Sequence, residues 1–387
     1  MNSAAGSRDV VHKAVRICII SGEDSGDFHG ANLALAIREI LPGVQIDGVG
    51  GSRMAAAGVF LIFPSSRLSV VGITEVIGRI PSIVKGWNRI KTYLQEQHPD
   101  LVVLVDFPDF NLHLIAPQVK KLGIPLVYYI SPQLWAWRQG RIKKIRVLVD
   151  RMLVILPFEQ EFYQQSGVPV SYTGHPLVDE FADFEVLPRS QRPYIALLPG
   201  SRPTEVKRLL PTMLEAAALI RKTHPEQEFI LPLAPSLEDE FLKEVIPAGF
   251  GNWVVTVRKP LSISLRCAFF AIVASGTATL ETALAEVPMV VVYRVGKLSY
   301  VIGKKLISVP HISLVNLIAG REVVPELIQD EVNAENICLR TEEIIDHQEN
   351  FDRVVQDLKK VKTLLGPAGG AARAAREVVG CLKNVIT

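Results

Sequence analysis

Short, unbroken runs of valine, isoleucine and leucine recur along this chain, each framed by glycine, proline or polar turns. RICII at 16–20, LVVLV at 101–105, PLVYYI at 125–130 and MLVIL at 152–156 form a first series. A strand that is apolar on both sides must be covered on both faces. Such strands belong to parallel sheets whose crossover helices pack above and below. Between the runs the spacing turns helical: Leu33, Ala36, Ile37 and Ile40 fall on one stripe of a helix near Asp27–Leu41. The pattern restarts at Tyr194 with YIALLP and continues through FILPLA (229–234), FFAIVAS (269–275) and MVVVYR (289–294). The acidic, aperiodic stretch 174–193 reads as the linker between the two series. The sequence thus predicts two facing, doubly wound α/β domains, 1–186 and 187–349. Ligands in such sheets bind beyond the carboxyl ends of the strands, so the default site is the cleft between the domains. The helical tail, about 350–387, is expected to pack back on the first domain.

Composition narrows the chemistry. Basic and acidic residues nearly cancel, leaving a net charge of +2, so the chain is not built around nucleic-acid phosphates. Cys18, Cys267, Cys338 and Cys381 are scattered without CxxC spacing. A zinc site or disulfide framework is not expected, and a reducing cytoplasm fits. The N-terminus lacks the apolar core of a signal peptide, and no apolar run reaches the ~20 residues of a membrane span. A mean hydropathy of +0.25 is nonetheless high, which implies a large core or some apolar surface facing lipid.

No GxxxxGK[ST] loop, HExxH, GxSxG or metal-holding D-x-D is present. Gly48–Arg53 (GVGGSR) only imitates a dinucleotide fingerprint, since it follows a second strand and lacks the third glycine. SGEDSGD (21–27) joins the first strand to the first helix, with Glu23, Ser25 and Asp27 clustered there. One of them suffices for a helix cap, and the extra carboxylates point to a ligand. Asp106, in VDFPDFN, follows the most hydrophobic strand and is placed to serve as a general base. The plain alternative makes it a structural hydrogen-bonder. LPGSRPTE (198–205) presents Gly200, Ser201 and Arg202 at a helix start, a setting suited to diphosphate. The alternative is a surface pair between Arg202 and Glu205. ASGTATLE (274–281) offers Ser275, Gly276 and Thr277 for close backbone approach, with Glu281 one turn on to hold ribose hydroxyls. Trp135 and Trp137 precede a basic run from Arg138 to Arg146, either a solvated helix face or a phosphate-binding surface. Val70–Trp87 is apolar with few charges, either a core helix or a lipid-facing segment, Val76 and Ile80 included.

Taken in order, these motifs resemble one family: lipid-A-disaccharide synthase, an inverting glycosyltransferase of the GT-B type. The likeness runs from SGEDSGDFHGA through VGITEVIGRIP, DFPDFN, SPQLWAWRQGRIKKI, LPFEQEFY, GHPLVD, LLPGSRPTEV and ASGTATLETALAEVPMVVVYR to SLVNLIAGREVVPELIQ, covering about residues 16–330. The 274–294 segment is common to many GT-B enzymes, whereas SPQLWAWRQ together with NLIAGREVVPELIQ is specific.

The resemblance implies transfer from UDP-2,3-diacylglucosamine to 2,3-diacylglucosamine 1-phosphate, giving a β-1,6-linked disaccharide 1-phosphate and UDP without a cofactor or metal. Asp106 is then the expected base and His29 its competitor. Arg202 and the helix starts near Ser201 and Ser275–Thr277 stabilise the leaving UDP, and Asn316 joins the donor site, with Arg321 beside it. Glu23, Ser25 and Asp27 line the acceptor side, while Val76, Ile80 and Trp135 meet acyl chains or headgroups. The enzyme would sit peripherally on the cytoplasmic face of the inner membrane of a Gram-negative bacterium, with room for a homodimer. Another UDP-sugar enzyme, such as an epimerase, would share the nucleotide site but need no lipid-facing segment. A non-catalytic nucleotide-sugar module would have no use for Asp106.

Overall fold

The computed structural model describes residues 14–68, 73–136, 139–234, 237–246, 249–250, 253–296, 300 and 309–386, without the side chains of 73–80, 139, 239, 243 and 383–386. Its strands form two wholly parallel sheets. The first holds β1 (Arg16–Ser21), β2 (Gln45–Gly50), β3 (Phe60–Pro64), β4 (Leu101–Val105), β5 (Leu126–Tyr129), β6 (Arg151–Val154) and β7 (Val170–Tyr172). Their spatial order is β3-β2-β1-β4-β5-β6-β7. The second holds β8 (Tyr194–Leu198), β9 (Glu228–Pro232), β10 (Val254–Val257), β11 (Ala268–Ala274), β12 (Met289–Tyr293) and β13 (Glu326–Ile328), in the order β10-β9-β8-β11-β12-β13.

The apolar runs are the central strands. Every side chain of β4 and β11 is buried, as two-sided helix cover requires. In each sheet the chain reverses its direction of winding at one place, between β1 and β4 and between β8 and β11. At such switch points the following loops part and leave a crevice. Ser21 pairs with Val105, so the glycine loop after β1 and the Asp106 turn after β4 emerge side by side. Leu198 pairs with Val273, which does the same for the loops after β8 and β11.

The tail divides. The Gln348–Leu364 helix packs Phe351, Val354, Leu358 and Val361 into the core of the second sheet. Only the Gly370–Ile386 helix returns to the first, where Ala374, Ala375, Val378, Val379 and Leu382 pack with Leu33, Ala34 and Ile37 of the Asp24–Ile40 helix. The two chain crossings between the domains are stitched together. Arg373 donates from Nε to Thr173 O at 2.8 Å and from Nη2 to Pro367 O at 2.7 Å, while Gly369 N donates to Asp179 Oδ1. Gly174 is obligatory there: its φ is +88°, and a Cβ would lie 2.3 Å from Arg373 Nη2.

Candidate active site

The loops after β8 and β11 enclose a cavity of about 810 Å³. Gly200, Ser201, Arg202, Ser275, Gly276, Thr277 and Glu281 all line it. Two helices start at its wall, Pro203–Thr223 and Thr277–Leu284, and turn the positive ends of their dipoles toward an anion, although Pro203 has no N–H and Glu205 N and Thr279 N already bond Arg202 O and Gly276 O. Gly200 stands at φ +108°, where a Cβ would also meet Glu205 Oε2 at 2.5 Å. Arg202 is largely solvated and pairs with Glu205 at 3.3 Å, the surface pair foreseen as the alternative. The pair sits on the cavity wall, however, so a diphosphate can take the guanidinium from Glu205. Arg258 and Lys259 also line the cavity and were not foreseen. Their signal was present in the sequence: two cations directly after the short strand β10.

Gly276 differs from Gly200. Its backbone is extended, and nothing lies within 4 Å of a Cβ placed there. The space opens into the cavity. Leucine at 276 is therefore expected to leave the melting temperature unchanged and to weaken UDP binding at least tenfold by calorimetry. Unaltered UDP affinity would place the nucleotide elsewhere.

Burial, and then the charge of Glu180, push the Glu281 carboxyl up to about 7. Glu180 ends the short Pro176–Glu180 helix of the first-domain side, which packs against the Thr277–Leu284 helix that carries Glu281. The folded value exceeds the ordinary 4.5, so the carboxyl's contribution to stability is full below about 4.5 and lost as pH rises through about 7. Glu281→Gln is thus expected to melt about 2–4 °C above the unsubstituted protein at pH 8 and level with it at pH 4, while binding UDP more weakly. Scanning calorimetry at the two pH values checks this.

On the other side of the cleft, burial and then Glu23 push Asp106 up to about 6, against the hydrogen bond from Phe107 N–H. His29 is pulled down to about 4 by burial and then by Arg53, and its Nδ1 is buried without a partner. His175 was not foreseen. It is likewise held down to about 4, by burial and then by His29, and its Nδ1 accepts from Leu177 N at 3.2 Å. GHP in the linker was its only sequence signal. Glu23 and Ser25 are exposed at the start of the Asp24–Ile40 helix.

Four expectations are corrected by their surroundings. Asp27 does not face the cleft. Its buried carboxylate accepts from Gly51 N at 2.6 Å, Arg53 N at 3.0 Å and Met54 N at 3.1 Å, capping the Ser52–Ala56 helix. Asn316 does not line the cavity either: Oδ1 accepts from Val323 N and Val324 N, and Nδ2 donates to Val324 O and Glu326 Oε1. An amide has no further strong capacity after four such bonds. Glu326 also receives Ile312 N and Ser313 N, and Ser275 Oγ donates to Ile312 O, so Asn316 supports the loop behind Ser275. Arg321 does not line the cavity and pairs with Asp357 at 2.7 Å.

Trp135 meets no lipid. It is buried among residues of the second core, and its indole donates at 3.0 Å to Glu159 Oε1. Ser131 Oγ donates at 2.7 Å to the same oxygen. Val76 and Ile80 belong to the Ile73–Gln97 helix, but their side chains lie outside the described residues, as do Trp137 and Arg138. In the described part of that helix Val84, Lys85, Arg89 and Lys91 are exposed. Among the described residues no helix is long and apolar enough to cross a membrane, and no group of His, Cys, Asp or Glu is arranged to hold a metal.

Solved structures share this architecture. A UDP-N-acetylglucosamine 2-epimerase from Listeria monocytogenes, itself so described with reserve, superposes with a TM-score of 0.63 at 14% identity over 97% of both chains. The calicheamicin glycosyltransferase superposes with a TM-score of 0.60 at 16% identity, over 97% of this chain and 100% of that one. These likenesses concern the fold. Sequence goes further. The lipid-A-disaccharide synthase of Syntrophus aciditrophicus is 44% identical over 376 residues, covering 95% of this chain and 98% of that protein. The enzyme of Geobacter metallireducens is 43% identical, with 95% and 97% covered. A family model described as Lipid-A-disaccharide synthetase matches residues 17–374. With the two-sheet fold and the paired switch-point loops, this match decides the matter: the chain belongs to the lipid-A-disaccharide synthase family and is a GT-B glycosyltransferase of lipid A disaccharide synthesis.

Proposed function

We propose that the cleft condenses UDP-2,3-diacylglucosamine with 2,3-diacylglucosamine 1-phosphate in one inverting displacement. The observation that carries this reading is the pairing of two walls. One bears helix starts and Arg202 around a nucleotide-sized cavity; the other bears Asp106, whose carboxyl burial pushes up to about 6. Asp106 takes the proton of the acceptor 6-hydroxyl as that oxygen bonds to the anomeric carbon. The bond from that carbon to the UDP oxygen breaks on the opposite face, and the pair of electrons leaves with UDP. Positive charge gathers on the sugar ring in the transition state and negative charge on the diphosphate. Arg202 and the amides at the two helix starts meet the negative charge with no metal in the scheme. His29 and His175 stay neutral near pH 7 and line the acceptor path as hydrogen-bonding groups.

The domains divide at about residue 186, and the donor binds the second. Acylated substrates reside in a bilayer, which puts the enzyme peripherally on the cytoplasmic face of the inner membrane. Exposed Val84 amid Lys85, Arg89 and Lys91 supports the Ile73–Gln97 helix as the docking element. The test is turnover by purified protein of both substrates in detergent micelles with EDTA. A tetraacylated disaccharide phosphate should appear in step with UDP. UDP released without disaccharide would replace transfer by hydrolysis, and inhibition by EDTA relieved by magnesium would remove the metal-free scheme.

A further inference from the structure

At the end of β4 the backbone adopts a conformation its residues resist. Asp106 and Phe107 both lie at positive φ, 46° and 51°. Side chains with a Cβ are crowded there, and such residues usually occur singly. A strained turn persists only where its surroundings over-determine it, and it often marks a functional site.

Here the surroundings are two side chains aimed at one atom. The carbonyl oxygen of Asp106 accepts from Tyr128 Oη at 2.7 Å and from Asn111 Nδ2 at 2.7 Å. Both donors are completely buried, and they come from different elements: Tyr128 from β5, Asn111 from the helical turn after Phe110. Asp106 N donates to Tyr129 O at 3.0 Å, and Asn111 N to Phe107 O at 3.0 Å, so the turn is tied at four points. The carbonyl in question belongs to the peptide plane between the two left-handed residues. Fixing its oxygen fixes that plane, and with it the backbone that carries the Asp106 side chain. The turn also closes on the opposite loop, since a Cβ on Gly22 would lie 2.2 Å from the Phe107 ring. The titratable groups around the turn are Glu23 from that loop, Asp109 on the turn itself, and Tyr128 and Tyr163 from beneath.

We propose that Tyr128 and Asn111 are positioning residues for the transfer: their paired hydrogen bonds to the Asp106 carbonyl hold the left-handed turn that presents the carboxylate to the acceptor hydroxyl. This rests on Asp106 being the base. Both side chains are fully buried beneath the turn, so each acts through Asp106 alone.

Tyr128→Phe keeps the ring and removes only the hydroxyl; Asn111→Ala removes the second donor. Each is expected to lower kcat roughly 10–100-fold, the scale of a misplacement of about 1 Å. KM for the UDP-sugar should stay within about twofold. The acid limb of the kcat/KM profile, set near 6 by Asp106, should move toward the ordinary carboxylate range as the loosened side chain meets water. Carbon-13 titration of Asp106 follows the same change without turnover. A folded Tyr128→Phe protein with unchanged kcat and an unmoved limb would overturn the proposal. So would a rate lost only in proportion to unfolded protein. If Asp106→Ala itself retains turnover, the parent reading fails instead. The carbon-13 titration then decides the clamp by itself, and an Asp106 carboxyl still near 6 in both variants overturns it.

Discussion

Alanine in place of Asp106 is expected to cut turnover by roughly 10²–10⁴-fold and to leave UDP affinity within about twofold, the pattern of a lost general base. The carboxyl follows β4 of the first sheet and is not among the residues that line the cavity of the second. It must be ionised to accept a proton, so the rate should rise as pH climbs through about 6. Stability runs the other way. The folded value lies above the ordinary 3.8, so the stabilising contribution is full below about 3.8 and gone once pH has risen through about 6. Asp106→Asn should therefore melt higher than the unsubstituted protein at pH 8 while being inactive. His29→Ala is the control. A base held down to about 4 is weak at neutral pH, and its loss should cost less than that of Asp106. The reverse ranking would transfer the role to His29.

Removing Arg202 should be the next most costly change, at roughly 10²–10³-fold in kcat, by analogy with deleting one donor of an oxyanion site. Its side chain is 73% exposed and pairs only at the surface with Glu205, so folding should be unaffected. Arg202→Lys keeps the charge but loses the two-pronged fork, and is expected to recover only part of the rate. If kcat holds and only KM for the donor rises, Arg202 binds the ground state and does not stabilise departure of UDP.

The architecture was legible because eight runs of Val, Ile and Leu are central strands, and two-sided burial leaves a composition that nothing else explains. The edges were harder. β7, β10 and β13 are three or four residues long and only partly buried, so their sequences carry little periodic signal. The cavity wall after β8 and β11 was legible for a similar reason: glycine and small residues directly after a strand mark a turn that leaves open space beyond the strand end. Asp27 and Asn316 were misplaced because partnership is invisible in sequence. The amides that occupy Asp27 lie 24 to 27 residues away, and those that fill Asn316 come from a loop folded back on its helix. Trp135 was taken for a surface aromatic, since only the fold reveals Glu159 beneath its indole.

The return of the Gly370–Ile386 helix has a consequence for how the protein is made. Ser171 of β7 waits for Glu377, 206 residues later, and one flank of the Asp24–Ile40 helix is covered by the same late segment. Synthesis proceeds from the N-terminus, so the first sheet emerges early with one apolar helix flank still bare. The second lobe draws its last core helix, Gln348–Leu364, from before that segment, so its core is complete in sequence by Leu365. The lobe translated first is thus the lobe finished last, and chain termination between residues 366 and 369 should yield a protein whose second lobe is folded and whose first lobe is a client for chaperones.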